Sequence, residues 1–476
     1  MILTAEPPVR RRVRRDPKPH FKPDVSRQLD AEHGCPEVQV PSEHLARAVR
    51  RIVDTFDTSS LEAGYSSLGR HGFHPRQVLA VWIYGSLVGL HESTKVANAM
   101  QTDAAFRLLA GGHVISAGTL RRFRGRNGAF FEAAIAQTVR MANDLGLLRT
   151  DELGVDSVRL RAHASTSEAR TLVRSRKRLA ELLATALDQL SPDERARHEA
   201  KVSKHEQAIA RCEAEGRTNF VVTSPSAGLL KFPDGASAPG HRVTVVAAGV
   251  RERLILNVLM DADSHDFGKA AVLLKTRALL DRLGISSDAG LQAALDAGYW
   301  SEEDLQFAAA NRDWIDILIA ERRDDNPKFF GRDKFTEHGD GTISCPVDRL
   351  MRGPSADGVG RGQRYEGVGC ADCPLKAQCT SSSKRTLVVR KNFDEARRLM
   401  RERLAAPGAK ARYNQRIATI EPVFAHLEST MKYRRTTTRH ERGVIAEVLL
   451  KLLAHNVSRL INARPLLRAF VVLDAF

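Results

Sequence analysis

The spacing of apolar residues is helical in the first third of the chain and becomes strand-like further on. From about residue 43 to 150, apolar positions recur every three to four residues, as on one face of a helix. "HPRQVLAVWIYGSLVGL" and "STKVANAMQTDAAFRLLAGG" each predict a helix, and the glycines that close the second suit a C-cap. In "VISAGTLRRFRGRNGAFF", Ser116 is the expected N-cap of another helix. The pattern predicts an all-α region.

Strand character begins in "LGVDSVRL" and soon gives way to charged helical runs over 170–215. "SPDE" predicts a capping box, with Ser191 as N-cap and Glu194 closing it. A helical hairpin inserted into another domain is therefore expected. Leucines at spacings of seven and four indicate a coiled-coil-like seam along it: Leu172, Leu179, Leu183, Leu187 and Leu190.

Further on, "HRVTVVAAG" and "RLILNVLMDAD" predict an antiparallel hairpin, "DFGKAAVLLKTRALLDRLG" a helix and "LQAALDAGYW" a short strand. Helices at 409–430 and 440–463 close the chain. This order favours a mixed α/β layer over a continuous doubly wound sheet. The expected organisation is a flexible basic arm (1–40), a helical domain (41–150) and an α/β domain (151–470), the last carrying insertions at 170–215 and 325–385.

Charge points to a polyanionic partner. Lys and Arg number 73 against 57 Asp and Glu, which gives a net charge of +16 and a pI near 9.8 in this chain of 476 residues. Such an excess attracts nucleic acid, although a merely basic enzyme has the same composition. No apolar run reaches the length of a membrane span, and the N-terminus has no apolar signal segment. The clustered cysteines do not resemble a disulfide framework, so a cytoplasmic location is expected.

Three acidic residues lie where sequence context predicts partial burial. Asp156 is inside the first strand, Asp296 ends the apolar run "LQAAL", and Glu421 lies in the helix "QRIATIEPVFAHLES". Pro422 is expected to bend or restart that helix. Buried carboxylates need cationic partners. Arginine would serve, and so would Mg²⁺ or Mn²⁺, which prefer carboxylate oxygens and support phosphoryl transfer.

A second acidic cluster, in "MDADSHDFG", also has ligand-type residues. It follows a strand, where Asp and His are common in ordinary turns, so a turn is the favoured interpretation. The members of this cluster are Asp261, Asp263, His265 and Asp266.

Two basic stretches are candidates for DNA contact, with solvated surfaces as the alternative. One is a helix that a helix-turn-helix would present to DNA; it carries Arg121, Arg122, Arg124 and Arg126. The other follows the Glu421 helix and carries Lys432, Arg434, Arg435 and Arg439. Tyr299 and Trp300 are candidates for stacking on a base, with burial as the alternative.

Four cysteines fall in one segment, in "CPVDRLM" and "CADCPLKAQC". A Cys-x2-Cys pair with two further thiols admits a structural zinc site, and free or redox-paired thiols are the alternative. The four are Cys345, Cys370, Cys373 and Cys379.

The chain resembles the DDE transposases of bacterial insertion sequences, in a group eleven-eighty-two-like form. The similarity covers most of residues 40 to 463. It is carried by "LAVWIYGSLVGLHES", "TLRRFRGRN", "GVDSVRLRAHAS", "LDAGYWSEEDL", "IEPVFAHLESTMKYRR" and "LAHNVSRL". The resemblance implies an RNase H-like catalytic core, with Asp156, Asp296 and Glu421 as the metal-binding triad.

The same resemblance implies cleavage and strand transfer at terminal inverted repeats, joining to target DNA, a homodimer and a place at the bacterial nucleoid. Tyr413 and Arg416 match a Tyr-Arg-Glu-Lys signature and are expected at DNA, whereas Glu428 stands where that signature has Lys. Lys432, Arg434 or Arg435 would then take the role of the Lys. Two alternatives remain: an RNase H-like nuclease without strand transfer, and an inactive DNA-binding regulator derived from a transposase.

Overall fold

The computed structural model describes residues 19–66, 69–187, 190–262, 267–285, 290–322, 329–356 and 362–463. Residues 1–18 of the predicted basic arm and three members of the second acidic cluster (Asp263, His265 and Asp266) lie outside these ranges.

The region before the first strand is helical, as predicted. Ser116 caps the helix over 117–126 by accepting a hydrogen bond from the Thr119 N–H. Apolar residues surround the whole circumference of the helix over 75–87, which is why it is buried in the centre of this region. The helices are α1 Pro36–Gln39, α2 Leu45–Asp54, α3 Ser59–Glu62, α4 Pro75–Leu87, α5 Ser93–Thr102, α6 Ala104–Leu109, α7 Ala117–Arg126 and α8 Gly128–Asp144.

The first strand and the inserted hairpin follow as β1 Leu153–Arg161, β2 Ala169–Thr171, α9 Leu172–Leu183, α10 Pro192–Ala214 and β3 Asn219–Val221. The predicted capping box of Ser191 and Glu194 is present. The leucine seam is wrong: Leu183 is 66% exposed, and Leu182 is the leucine of α9 that is buried. Strands β2 and β3 pair at the base of the hairpin, so α9 and α10 project from a two-stranded stem.

The remaining strands of the main sheet are β4 Gly228–Lys231, β5 Ser237–Ala248, β6 Leu254–Asp261, β7 Leu291–Leu295 and β8 Ile315–Ile319. Helix α11 Val272–Leu283 precedes β7, and helix α12 Glu302–Ala310 precedes β8. The strand order is β4-β5-β1-β7-β8, with β6 pairing β5. Strands β5 and β6 form the predicted antiparallel hairpin, while β1, β7 and β8 run parallel. This confirms a mixed sheet. The largely apolar sequences of β7 and β8, each with one polar residue near its start, suit strands buried on both faces.

The cysteine-containing segment forms small sheets with their own apolar cluster, around Phe335, Ile343 and Tyr365. Its elements are β9 Thr336–Glu337, β10 Ile343–Ser344, β11 Arg352–Ala356, β12 Gln363–Glu366, α13 Lys376–Cys379 and β13 Thr386–Val389. The chain closes with α14 Lys391–Ala405, α15 Ala409–Ala425, a π-helical turn over His426–Thr430 and α16 Glu441–Asn462. Helix α15 continues through Pro422 before the π-helical turn.

Contacts divide the chain into two compact units, each discontinuous in sequence, whereas the sequence predicts consecutive domains. The first unit comprises Met1–Gly146, Leu160–His241 and Ala425–Phe476, and the second comprises Leu147–Arg159 and Arg242–Phe424. In the first unit, α16 packs against α4, α7 and α8 and is buried over most of its length. No helix within the described ranges is both long and apolar enough to cross a membrane.

Candidate active site

The two aspartates lie side by side where the parallel pairing of β1 with β7 ends, in the second unit. The register pairs Leu153 with Ala293 and Val155 with Leu295, so Asp156 and Asp296 are each the next residue on their strand. Adjacent strands lie about 4.8 Å apart. Strand β7 ends here, and the Asp296 carboxylate accepts a hydrogen bond from the Gly298 N–H. Backbone pairing therefore brings together two residues that are far apart in sequence.

The Asp156 carboxylate lies in a buried setting and has a cationic partner. One of its oxygens accepts a hydrogen bond from the Ser157 N–H (2.7 Å), and the other accepts one from the Arg416 guanidinium (2.9 Å). Burial raises the pKa of Asp156 to about 6, and the charge of Asp296 adds to the rise, against these two hydrogen bonds. Two like charges at this strand end thus require a nearby cation.

Helix α15 supplies that cation and the third carboxylate. Gly154 allows the helix to approach β1 closely: a Cβ at this position would come within 3.1 Å of Ile420 Cβ. Five residues after Arg416, the Glu421 side chain is 55% exposed, with its carboxylate 3.7 Å from the same guanidinium. Arg416 therefore connects Asp156 to Glu421.

The apolar residues of α15 and of the turn after it are not all buried. Ile420, Val423 and Leu427 are buried at helical spacing, whereas Ile417 is 49% exposed. The buried face points its polar members, Arg416 and Thr419, the same way. Burial of Arg416 alone would lower its pKa, but the charge of Asp156 and the neighbouring Tyr413 and Asp296 outweigh burial and raise it.

A chain of hydroxyl groups supports the strand next to Asp156. The Ser157 hydroxyl lies 2.9 Å from the Thr244 hydroxyl and 3.0 Å from the Tyr299 hydroxyl. Tyr299 is fully buried and Trp300 nearly so, so these rings pack inside the protein and are not placed to stack on a base. The sequence does contain the hydroxyl group that follows Asp156, but its partners could not be seen without the sheet.

Asp304 is a buried carboxylate that sequence reasoning missed. It accepts hydrogen bonds from the Gly268 and Ala270 N–H groups and from the Ser301 hydroxyl, so its role is to fasten the start of α11 to α12. Its signal in the sequence is the capping pattern Ser301-x-x-Asp304. From the second acidic cluster, Asp261 ends β6 and pairs with Lys269 at 3.0 Å.

The carboxylate oxygens of Asp156, Asp296 and Glu421 are suitable ligands for a divalent cation, but the three side chains are not close enough together to form a complete coordination shell. Among the residues that the structure describes, no group of three or more His, Cys, Asp or Glu side chains is close enough to hold a metal ion. Arg416 holds Asp156 and approaches Glu421 where a cation would neutralise them. Carboxylate oxygens are the hard ligands that Mg²⁺ prefers, and the two neighbouring aspartates leave an excess of negative charge here.

The four clustered cysteines line one small cavity of about 20 Å³ in the second unit. Burial raises the pKa of the Cys379 thiol, and the other three cysteines contribute to that rise, so all four lie near one another. In the described part of the chain, the thiols are free and are not close enough together to hold a metal ion. Zinc stays a prediction.

The predicted DNA-contacting residues divide into exposed and buried sets. Arg124 is 3% exposed and pairs with Glu447, and Arg416 is buried against Asp156, so both hold the protein together. Tyr413 is half-buried beside Arg416. The exposed residues are Arg121, Arg122, Arg126, Lys432, Arg434, Arg435 and Arg439.

Comparison with known proteins gives two family matches. Residues 35–126 are similar to a family described as Transposase domain (DUF772), and residues 348–461 to one described as Transposase DDE domain. The second match contains Glu421 and begins after both aspartates. No curated protein and no solved structure matches the chain significantly. Both matched families are typical of insertion-sequence DDE transposases, which confirms the resemblance found in the sequence.

Proposed function

We propose that this chain, which carries two transposase domains of the insertion-sequence DDE type, cuts DNA at the ends of an insertion sequence and joins the freed ends to target DNA. The observation that carries the proposal is the pairing register of β1 and β7, which brings Asp156 beside Asp296, with Glu421 connected to them through Arg416. The implied core is RNase H-like. Because the two ends of the insertion sequence must be brought together, we propose that the chain acts as a homodimer.

Asp156, Asp296 and Glu421 are the residues proposed to hold Mg²⁺ or Mn²⁺. The chemistry that such a cation supplies is activation of a water or a 3′-hydroxyl, and neutralisation of the charge on the leaving oxygen. The contribution of the chain is positioning. The Ser157 N–H fixes one Asp156 oxygen, and the Ser157 hydroxyl ties the strand to Tyr299 and Thr244.

Arg416 is proposed to keep the carboxylates in place and to lessen their repulsion. Its hydrogen bond to Asp156 holds that side chain toward α15, and its 3.7 Å approach to Glu421 brings the exposed carboxylate toward the strand end. Because Arg416 is buried, it serves the carboxylates and not the DNA backbone.

The test is a cleavage and joining assay with DNA carrying the inverted repeats that flank the gene, a target plasmid and Mg²⁺ or Mn²⁺. Asp156→Asn is expected to retain DNA affinity and lose at least about 100-fold in cleavage. Asp281→Asn is the matched control, since Asp281 lies on α11 with a 70% exposed side chain, and it should cut like wild type.

Each alternative has its own outcome in this assay. Cleavage without a joined product would support a nuclease and overturn transposition. Binding without cleavage by both wild type and Asp156→Asn would support a regulatory DNA-binding protein and overturn the enzyme.

A further inference from the structure

The first unit contains a basic groove with a volume of about 480 Å³. One wall comes from the start of α5 and from α7, and the other from the segment over 432–438 together with His163. The cations that line it are Lys95, Arg121, Arg124, Lys432, Arg434 and Arg435. Glu92 is the acidic residue in the lining, and it pairs with Lys95 at 2.8 Å. The groove therefore has a strong excess of positive charge.

Several of these cations are available to a ligand. Arg124 is neutralised by Glu447, but among the described residues no carboxylate forms an ion pair with Arg121, Lys432, Arg434 or Arg435. All four side chains are exposed. Lys432 also has a left-handed backbone (φ 57°), which is uncommon for a residue with a side chain and is typical of constrained functional segments.

The segment that carries these cations is fixed before any ligand arrives. Both the Thr437 N–H and its hydroxyl donate to the Glu447 carboxylate, each at 2.8 Å. Tyr433 is almost completely buried, and the Met431 carbonyl lies 2.7 Å from the His91 ring nitrogen. A groove held this way loses little conformational entropy when it binds.

The lining excludes other classes of ligand. It contains no aliphatic side chain and no Phe, Tyr or Trp among the described residues, so it lacks the apolar walls of a small-molecule pocket. For the same reason it lacks the aromatic platforms on which single-stranded bases stack. Exposed Arg and Lys beside threonine hydroxyls suit phosphate oxygens.

We infer that this groove binds the sugar-phosphate backbone of duplex DNA without reading its sequence. The inference rests on the proposed function for the choice of DNA as the polyanion. Lys432, Arg434 and Arg435 would contact phosphates from one wall and Arg121 from the other, and Glu447 is a positioning residue that holds the first wall.

The test measures fluorescence anisotropy of a labelled duplex of arbitrary sequence, and of a single strand of equal length, over a range of salt concentrations. The full-length triple variant Lys432→Gln, Arg434→Gln, Arg435→Gln is compared with Arg197→Gln, Lys201→Gln, Lys204→Gln. The control removes the same charge from exposed positions of α10 in the same unit.

The groove variant is expected to bind duplex at least about 10-fold more weakly, with a salt slope smaller by about 2 to 3. The control variant should keep the wild-type affinity and slope. Arg121→Gln alone, on the opposite wall, should lower the slope by about 1. Melting temperatures equal to that of wild type establish that the variants fold.

An unchanged duplex affinity and salt slope in the groove variant would overturn the inference. An equal loss of affinity for duplex and single strand would also overturn it. The inference assigns the groove to duplex DNA, and the lining has no aromatic side chain on which single-stranded bases could stack. The two assays separate this outcome from failure of the proposed function. A groove variant that keeps its duplex affinity overturns the groove, whereas a wild-type protein that neither cuts nor joins DNA overturns the proposed function.

Discussion

At the scale of single residues, Arg416 lies against carboxylates whose negative charge a metal ion would otherwise neutralise. Its guanidinium bonds Asp156 and approaches Glu421, while Asp296 lies at the adjacent strand end. Removing one partner of a buried ion pair leaves an uncompensated charge. We expect Arg416→Gln to lower the free energy of unfolding of the metal-free protein by about 3 kcal/mol.

Added Mg²⁺ should restore part of this loss, so thermal melts should show a larger Mg²⁺-induced rise in melting temperature for Arg416→Gln than for wild type. Arg412→Gln is the control, because Arg412 lies on the same helix but bonds Asp316. Equal Mg²⁺ responses in wild type and Arg416→Gln would contradict the role assigned to Arg416.

Lys451 is a fully buried amine in the first unit, and burial lowers its pKa to about 7. Its ammonium nitrogen donates to the Ser86 hydroxyl at 2.8 Å; the charges that face it are Arg124 on α7 and Glu447 on α16, with Arg124 opposing and Glu447 favouring protonation. A lysine whose folded pKa is depressed destabilises the fold by a constant amount below about pH 7, and the penalty fades between pH 7 and its ordinary pKa of 10.5.

Lys451→Met, which keeps the volume, is therefore expected to raise the free energy of unfolding at pH 6 by roughly 1–3 kcal/mol. The gain should shrink steadily above pH 7. Denaturant unfolding from pH 6 to 10 measures it. A gain that is constant across this range, or a loss at pH 6, would show that Lys451 is not a buried amine with a lowered pKa.

At the scale of elements, the helical hairpin is an attachment with a short base. Thr171 and Asn219 are paired across β2 and β3, and the Leu172 N–H donates to the Thr218 carbonyl at 2.9 Å. These strand ends are close enough for a two-residue turn. We expect replacement of residues 172–218 by Asn-Gly to leave a folded, cooperatively melting protein.

Phe220 should be changed to Thr in the same variant, since α10 covers it in a cluster with Ala208 and Cys212. Circular dichroism and the melting transition measure the outcome. A control that removes α16, Glu441–Asn462, should abolish folding, because α16 is the buried centre of the first unit. Collapse of the hairpin-deleted protein would mean that α9 and α10 belong to the core.

How far the elements could be predicted depended on whether their signals were local. Helix caps such as Ser116 and Ser191, and the apolar runs of the β5–β6 hairpin, are read from neighbouring residues, and the structure bears them out. The leucine seam of α9 failed because periodicity does not say whether a partner helix covers it. Strand β4 was missed because Gly228–Lys231 is too short to show a pattern.

The candidate site divides in the same way. Awkward context picked out Asp156, Asp296 and Glu421, but no local pattern could give the strand register that pairs the aspartates. The sequence alone predicts Arg416 at DNA, because its partner Asp156 lies 260 residues away and cannot be identified from neighbouring residues. In the sequence, the arginines of the basic stretches look alike. Only their burial in the structure distinguishes Arg124 and Arg416 from the exposed Arg434.

At the scale of the whole molecule, metal content decides the state of the cysteines. If the four thiols around their shared cavity hold zinc, protein purified without chelator should contain close to one equivalent by elemental analysis. The double variant Cys370→Ser, Cys373→Ser should lose it. Cys35→Ser with Cys212→Ser is the control that should retain it. Zinc-free wild-type protein would establish free thiols.

The register of β1 and β7 also governs which gene copies can remain functional. One extra residue between Leu153 and Asp156 would turn that carboxylate to the opposite face of the sheet. Extra residues between α9 and α10, at the tip of the helical hairpin, fall outside every strand and leave the ladder as it is. Decaying copies should therefore keep their activity through length changes at the tip of the helical hairpin and lose it through a single-codon change within the first four residues of β1.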